Sequence, residues 1–208
     1  MRGHLRATPH RAPAMMTEAM VRRSLREEML ALAPATAEAI YEFWVPRSHE
    51  RADVAVIGTT IDGFEIKTDR DTLKRLPRQA EAYTRVFDHC YAVVAHRHLE
   101  KAIQMLPPWW GVLVIGIDGA PSFSLVRKAD PNDGVDPETL VRLLWRDEAL
   151  AALCGLGAPP DPRAGRSRMW DQLLGLLDLD SLKAIVRDAL LRRDPARARI
   201  PSQRFAVS

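Results

Sequence analysis

An α/β fold is the class this sequence predicts, and three observations predict it. Apolar runs of strand length alternate with polar, helix-period stretches between residues 41 and 127. One run, Gly111–Ile117 (GVLVIGI), is apolar without alternation, as a strand buried on both faces must be. Past Asp130 only helix-period segments remain. Alternation of this kind places helices on the faces of a mixed central sheet, and the helical remainder forms a C-terminal all-helical appendage.

The first element starts at Thr17. Val21, Leu25, Met29 and Leu32 recur at spacings of three and four with Arg and Glu between them, an amphipathic helix that Pro34 ends. A second short helical stretch is expected through residues 35–40. Tyr41–Val45 is aromatic and β-branched and stops at Pro46; Arg51–Ile57 (RADVAVI) stops at Gly58; Ile61–Thr68 (IDGFEIKT) follows. Asp62-Gly63 is expected as the tight turn of a hairpin, and the three strands as an antiparallel meander.

A polar helix over Arg75–Val86 comes next, then a strand over Tyr91–Ala95 and a helix over His98–Met105 that Pro107-Pro108 breaks. Gly111–Ile117 is the buried strand, and Ser122–Arg127 an edge strand after the Asp118-Gly119 turn. DPNDGVDP is a loop by composition. Helices are then expected over Glu138–Leu153 (Leu143, Leu144, Leu150 and Leu153 buried), Ser167–Leu177 and Leu179–Arg193, with Gly155–Gly165 as a Gly/Pro linker. In the last, Leu182, Ile185, Val186, Ala189 and Leu190 make one apolar side. The expected organisation is a disordered tail over residues 1–16, an α/β domain over 17–130, a helical subdomain over 131–200 and a tail over 201–208.

With 208 residues, 47% hydrophobic and 27% charged, the chain is long and apolar enough to bury a core without staples. A net charge of +3 permits a polyanionic partner without demanding one. Cys90 and Cys154 lie far apart with no CxxC neighbour, which argues against a zinc site or a disulfide framework. Both read as buried thiols suited to a reducing, cytoplasmic setting. No apolar run approaches the ~18 residues of a membrane span, so no membrane partner is expected. The Arg- and His-rich N-terminus lacks the apolar block of a secretory signal. There is no Gly-rich phosphate loop and no GxSxG elbow, which argues against an NTPase and against a serine hydrolase of that kind.

Chemistry concentrates on the expected hairpin. Glu65 and Lys67 flank Ile66 in one strand, so they point to the same face while Ile66 turns to the core. Asp53 lies on the neighbouring strand, within reach of the same spot. Each acid interrupts an otherwise apolar strand, where an ionised group is costly unless paired or metal-bound. The plain alternative is a charged pair on a solvated strand face, and ExK alone does not exclude it. Phosphodiester hydrolysis needs such a set. Magnesium takes one or two carboxylates and keeps several waters; Asp53 and Glu65 can supply those, with the backbone carbonyl of Ile66 as a further ligand. Lys67 can orient the attacking water or stabilise the transition state.

Asp53 followed by Glu65-Ile66-Lys67 resembles the D…ExK signature of the PD-(D/E)XK nuclease superfamily. Gln79 and Tyr83 in QAEAY match the QxxxY pattern of its RecB-like branch, and Glu42 falls where many members carry an extra acid. The text RADVAV…GFEIKTDRDTLKRLPRQAEAY resembles a group of uncharacterised bacterial proteins in that superfamily. The resemblance covers about half the chain, Glu42 to Ile117. The proline of the signature is absent, with Ala52 before Asp53.

The resemblance implies a restriction-endonuclease-like core and an Mg2+- or Mn2+-dependent nuclease, acting on DNA in bacterial repair, restriction or phage defence. It makes Asp53 and Glu65 metal ligands, Lys67 the catalytic lysine, Glu42 an auxiliary acid, and Gln79 and Tyr83 supporting residues near the scissile phosphate. The alternative is a non-catalytic nucleic-acid-binding or protein-interaction module on the same fold. RNA as substrate, a homodimer and a protein partner stay open.

Around this set, Arg70, Lys74, Arg75 and Arg78 are placed to meet a phosphate backbone, which positions without reading sequence; internal ion pairs are the competing reading. His89, His96 and His98 read as surface histidines, and Trp109-Trp110 as a packing plug rather than a base-stacking platform. The C-terminal arginines read as solvated, for want of a helix-turn-helix pattern.

Overall fold

The computed structural model describes residues 17–116 and 120–193. Both expected tails fall outside these, the first entirely and the second with residues 194–200. Six strands form one mixed sheet in sequence order: β1 (Glu38–Trp44), β2 (Arg51–Ile57), β3 (Ile61–Lys67), β4 (His89–Ala95), β5 (Gly111–Gly116) and β6 (Ser122–Arg127). The first three are an antiparallel meander, β3–β4 and β4–β5 are parallel, and β6 closes the far edge antiparallel. The α/β class and the mixed sheet flanked by helices are as the sequence predicts.

Helices cover both faces. On one side lies α1 (Glu18–Leu32), capped by the Thr17 hydroxyl. Its Val21 and Leu25 pack on Val54, Val56, Phe64, Ile66, Val93, Leu113 and Ile115. The other side is covered by α2 (Leu76–Thr84), α3 (Leu99–Met105), α4 (Pro137–Leu140), α5 (Arg146–Gly155), α6 (Arg166–Leu176) and α7 (Leu179–Leu191). There the strand residues Ala55, Ile57, Cys90, Ala92, Val94 and Val112 share one continuous core with Leu140, Leu144, Leu153, Met169, Leu173, Leu182 and Val186. The C-terminal helices are therefore a layer of the main body rather than an appendage on a separate core. The loop expected at Asp130 is fastened in the same way: the Asn132 amide donates to the carbonyls of Thr84 and Phe87, both at 2.7 Å. No helix among the described residues is long and apolar enough to cross a membrane.

Several expectations are corrected. Residues 35–36 are a turn and residues 38–40 already belong to β1, so no helix forms there. Asp62-Gly63 lies inside β3, and the reversal is at Gly58, whose N–H donates to the Thr60 carbonyl at 2.9 Å. The glycine is there for space: a Cβ on Gly63 would fall 2.6 Å from the Phe87 ring. The single helix expected over Glu138–Leu153 is broken. A 3₁₀ turn (Val141–Leu143) follows α4, Leu144 is extended, and the Glu148 carboxylate accepts from the Trp145 N–H at 2.7 Å to start α5. Cys154 is exposed, and Leu32 is 78% exposed at the end of α1.

One irregularity shapes the site. In β1, Ala39 packs on the α1 face and Ile40 on the opposite one, yet Phe43 also lies on the opposite face, where strict alternation would put it with Ala39. In β2, Ala52 and Ala55 share a face that alternation would deny them. Both phase changes fall at neighbouring positions, Glu42 and Asp53. Glu42 has φ +51°, a left-handed conformation rare outside glycine.

Candidate active site

The paired residues of β2 and β3 run only from Ile57–Ile61 to Val54–Phe64. Beyond that point the strands part, and a pocket of about 340 Å³ opens at the mouth of the gap. Glu42, Asp53, Glu65, Ile66, Lys67 and Gln79 all line it, with Arg75. Every expected catalytic residue except Tyr83 is thus brought to one place, from β1, β2, β3 and α2.

Glu65 is the centre of the hydrogen-bond network and is only 2% exposed. Its Oε1 accepts from Lys67 Nζ at 2.6 Å and from Gln79 Nε2 at 2.5 Å, and its Oε2 from the Tyr83 hydroxyl. Helix spacing explains the last two, since residues four apart on α2 share one face. Tyr83 is fully buried behind Glu65, its ring stacked on Trp110 and its hydroxyl also 2.8 Å from the Arg51 carbonyl. It supports the carboxylate from behind and does not line the pocket. Trp110 is fully buried, the packing role expected of it.

Asp53 bridges the parted strands. Its Oδ2 accepts the Ile66 N–H at 2.7 Å, and its Oδ1 faces Arg22 Nη2 at 3.2 Å. Burial, and then the charge of Glu65, push its carboxyl up to about 7. Burial likewise raises Glu65, against the pull of Lys67, Tyr83 and Gln79. Two carboxylates that each resist ionisation here make a place that favours a cation.

The chemistry of this donor set fits a hard divalent ion. Among the described residues no group of three or more His, Cys, Asp or Glu side chains is disposed to hold a metal. A pair, Asp53 and Glu65, is what Mg2+ commonly takes, with waters completing its shell. Beside them Gln79 Oε1 is buried with no hydrogen-bond partner, an acceptor available to such a water. Asp53, Glu65 and the Ile66 carbonyl would be the residues that hold the ion.

Three residues that sequence reasoning missed set the ion pairs around the site, and His49, also missed, lines the pocket. Arg22 of α1 reaches Glu18, Glu42 and Asp53. Glu18 lines the pocket as well. Glu50, 1% exposed, accepts from both Arg75 (2.8 Å) and Arg78 (2.6 Å), and these arginines hold its carboxyl below the ordinary range despite its burial. Arg75 and Arg78 are therefore ion-paired through one buried acid, although their side chains stay more than half exposed. Of the four cations expected at a phosphate backbone, Arg75 alone lines the pocket; Arg70 and Lys74 are exposed beside it in sequence. Among the histidines, His89 pairs with Asp62 at 2.9 Å, His98 bonds the Thr68 carbonyl, and His96 is exposed.

The protein is thus an α/β domain with a carboxylate–lysine pocket at the point where two strands of a mixed sheet part. The profile of the family described as bacteriophage P4 protein cII matches residues 15–199, and the chain belongs to that family. Among solved structures it is similar to the SPO1766 protein of unknown function from Silicibacter pomeroyi, at 21% identity and a TM-score of 0.43, over 70% of this chain and 92% of that one. No curated protein matches it.

Proposed function

We propose that this chain is a metal-dependent phosphodiesterase that cleaves DNA, built on a restriction-endonuclease-like core of the PD-(D/E)XK kind. One observation carries the reading: Asp53, Glu65, Lys67 and Gln79, drawn from three elements, line a single polar pocket. An Mg2+ or Mn2+ ion held by Asp53 and Glu65 would lower the pKa of a bound water and offset charge on the phosphate. Lys67, held at 2.6 Å from Glu65 and 8% exposed, has its ammonium fixed beside the place where a scissile phosphate would lie. A positioned cation there acts where negative charge grows in the transition state. Gln79 and Tyr83 keep Glu65 in one orientation, as outer partners of metal-binding carboxylates do. The task proposed for the chain is phage defence, restriction or repair in the bacterial cytoplasm.

The test is cleavage of supercoiled plasmid, linear duplex and single strands by the wild type and Lys67→Ala, with EDTA, Mg2+ or Mn2+. Cutting by the wild type alone, and only with metal, is expected. Metal-dependent cutting that survives Lys67→Ala would sink the reading. A second reading, a nucleic-acid-binding module without chemistry, draws on the guanidinium of Arg22 lying on Asp53. Shifted but uncut DNA under every metal condition would favour it.

A further inference from the structure

Arg22 is paired with three of the acids that line the pocket. Its Nη2 lies 2.6 Å from Glu18 Oε1, its Nη1 2.6 Å from Glu42 Oε1, and its Nη2 also 3.2 Å from Asp53 Oδ1. Three carboxylates from α1, β1 and β2 thus share one guanidinium, and all three line the pocket. The Arg22 side chain is 20% exposed, and its Nε is buried with no partner. The acid it holds from β1, Glu42, sits in left-handed backbone, a strained conformation that persists where surroundings enforce it. The three legs are unequal. Those to Glu18 and Glu42 are short, charge-assisted hydrogen bonds, while the leg to Asp53 is the longest and weakest.

We infer that Arg22 is the internal counter-cation of the metal-free site, holding Asp53 until a divalent ion takes that carboxylate over. This rests on the metal-dependent reading given above. Asp53 Oδ2 is committed to the Ile66 amide, so Oδ1 is the oxygen a metal would take, and Oδ1 is the one Arg22 holds. Metal binding then exchanges one cation for another at a single oxygen. Glu18 and Glu42, which line the pocket, keep Arg22 paired after the exchange, so the guanidinium stays near the site instead of swinging into solvent. The arrangement spares the protein a buried unpaired carboxylate when metal is absent. It also sets the metal affinity below what the two acids alone would give.

The test is Mn2+ binding by the full chain, followed calorimetrically, for the wild type, Arg22→Gln, Arg51→Gln and Asp53→Asn. Arg51 is a cation that lines the pocket, so it reports the effect of removing a nearby charge in general. Arg22→Gln is expected to tighten Mn2+ by about fivefold or more, the equivalent of one modest ion pair. Arg51→Gln is expected to have a distinctly smaller effect, and Asp53→Asn to abolish binding. Should Arg22→Gln fold poorly, Arg22→Lys serves; the shorter side chain keeps the charge but loses the planar fork that spans separated carboxylates, so a smaller change in the same direction is expected. In the wild type, the Nε–H resonance of Arg22 is expected to shift on Mn2+-free titration with Mg2+.

Unchanged or weaker Mn2+ binding in the Arg22 variants, with Asp53→Asn still losing it, overturns the inference and leaves the metal reading standing. Equal tightening by Arg51→Gln overturns it too, since any charge would then serve. Absence of binding in every variant and the wild type overturns the metal reading itself.

Discussion

The carboxylate of Asp53 and the backbone amide of Ile66 make the rung that β2 and β3 do not make for themselves. Oδ2 accepts the N–H at 2.7 Å, just past the last paired residues, Val54 and Phe64. Ile66 is 3% exposed, so its amide has little access to water. Asp53→Ala leaves that donor without an acceptor, at a cost of ~1–3 kcal/mol. Asp53→Asn keeps an oxygen in place. In urea unfolding at mildly acidic pH, where Asp53 is largely protonated, the alanine variant is expected to be the less stable of the two by that amount. Equal stabilities would mean that the amide finds another partner.

The same carboxylate gives the metal-free protein a pH dependence with a defined sign. Burial and the charge of Glu65 hold Asp53 at about 7, against an ordinary 3.8; the Ile66 amide and Arg22 recover only part of that. A folded value above the unfolded one means the native state prefers the proton. The stability this contributes is complete below 3.8 and is lost as pH rises through about 7. Wild-type Tm in EDTA is expected to fall across that window relative to Asp53→Asn, and Mg2+ is expected to restore it on the alkaline side. Parallel Tm profiles for the two proteins would contradict this.

If the site is the phosphodiesterase proposed, Tyr83 tests the difference between touching the reaction and holding a group that does. Its hydroxyl serves Glu65 and the Arg51 carbonyl, and its ring fills the core against Trp110 and Phe87. Tyr83→Phe keeps the ring and removes only the hydroxyl. A stability loss of ~1–3 kcal/mol is expected, and, with Glu65 as the proposed metal ligand, cleavage slowed about tenfold, the usual effect of losing an outer partner. Lys67→Ala is expected to abolish turnover. A Tyr83→Phe variant as inactive as Lys67→Ala, yet binding Mn2+ normally, would give Tyr83 a part in the chemistry.

The strands and the residues of the signature were legible because both follow period-two patterns. Glu65 and Lys67 must share a face, and the meander brings Asp53 alongside. What was not legible lies in the departures from period. The phase changes at Glu42 and Asp53 leave no trace in residue type, since each is one acid in an ordinary strand. Glu50 lies in a loop, and nothing local says it is buried beneath two arginines. Arg22 offered a faint signal: it follows the buried Val21 and stands four residues after Glu18, at the edge of the apolar stripe of α1. Its partners on β1 and β2 are set by tertiary packing. The broken helix at Leu144-Trp145 was hidden because a run of leucines satisfies helical spacing on both sides of the break.

Gly63 misled for a related reason. Asp-Gly is a strong turn signal where a left-handed residue is needed, but here the glycine sits in β3 because Phe87 fills the space over it. A Cβ would meet three ring atoms at 2.6, 2.7 and 2.8 Å. The ring has little room to yield: Phe87 is fully buried, 5.6 Å from the Phe43 ring and 5.2 Å from that of Tyr83. Gly63→Ala is therefore expected to destabilise by ~1–3 kcal/mol, the usual cost of overpacking. Because Tyr83 lies between Phe87 and Glu65, displacement of the ring is also expected to weaken Mn2+ binding at a distance. Trimming the obstacle separates this from a generic strand defect. Gly63→Ala with Phe87→Leu should be more stable than the sum of the two single changes predicts, as contacting residues are. Additive losses would place the cost of Gly63→Ala in the strand backbone and not in the ring.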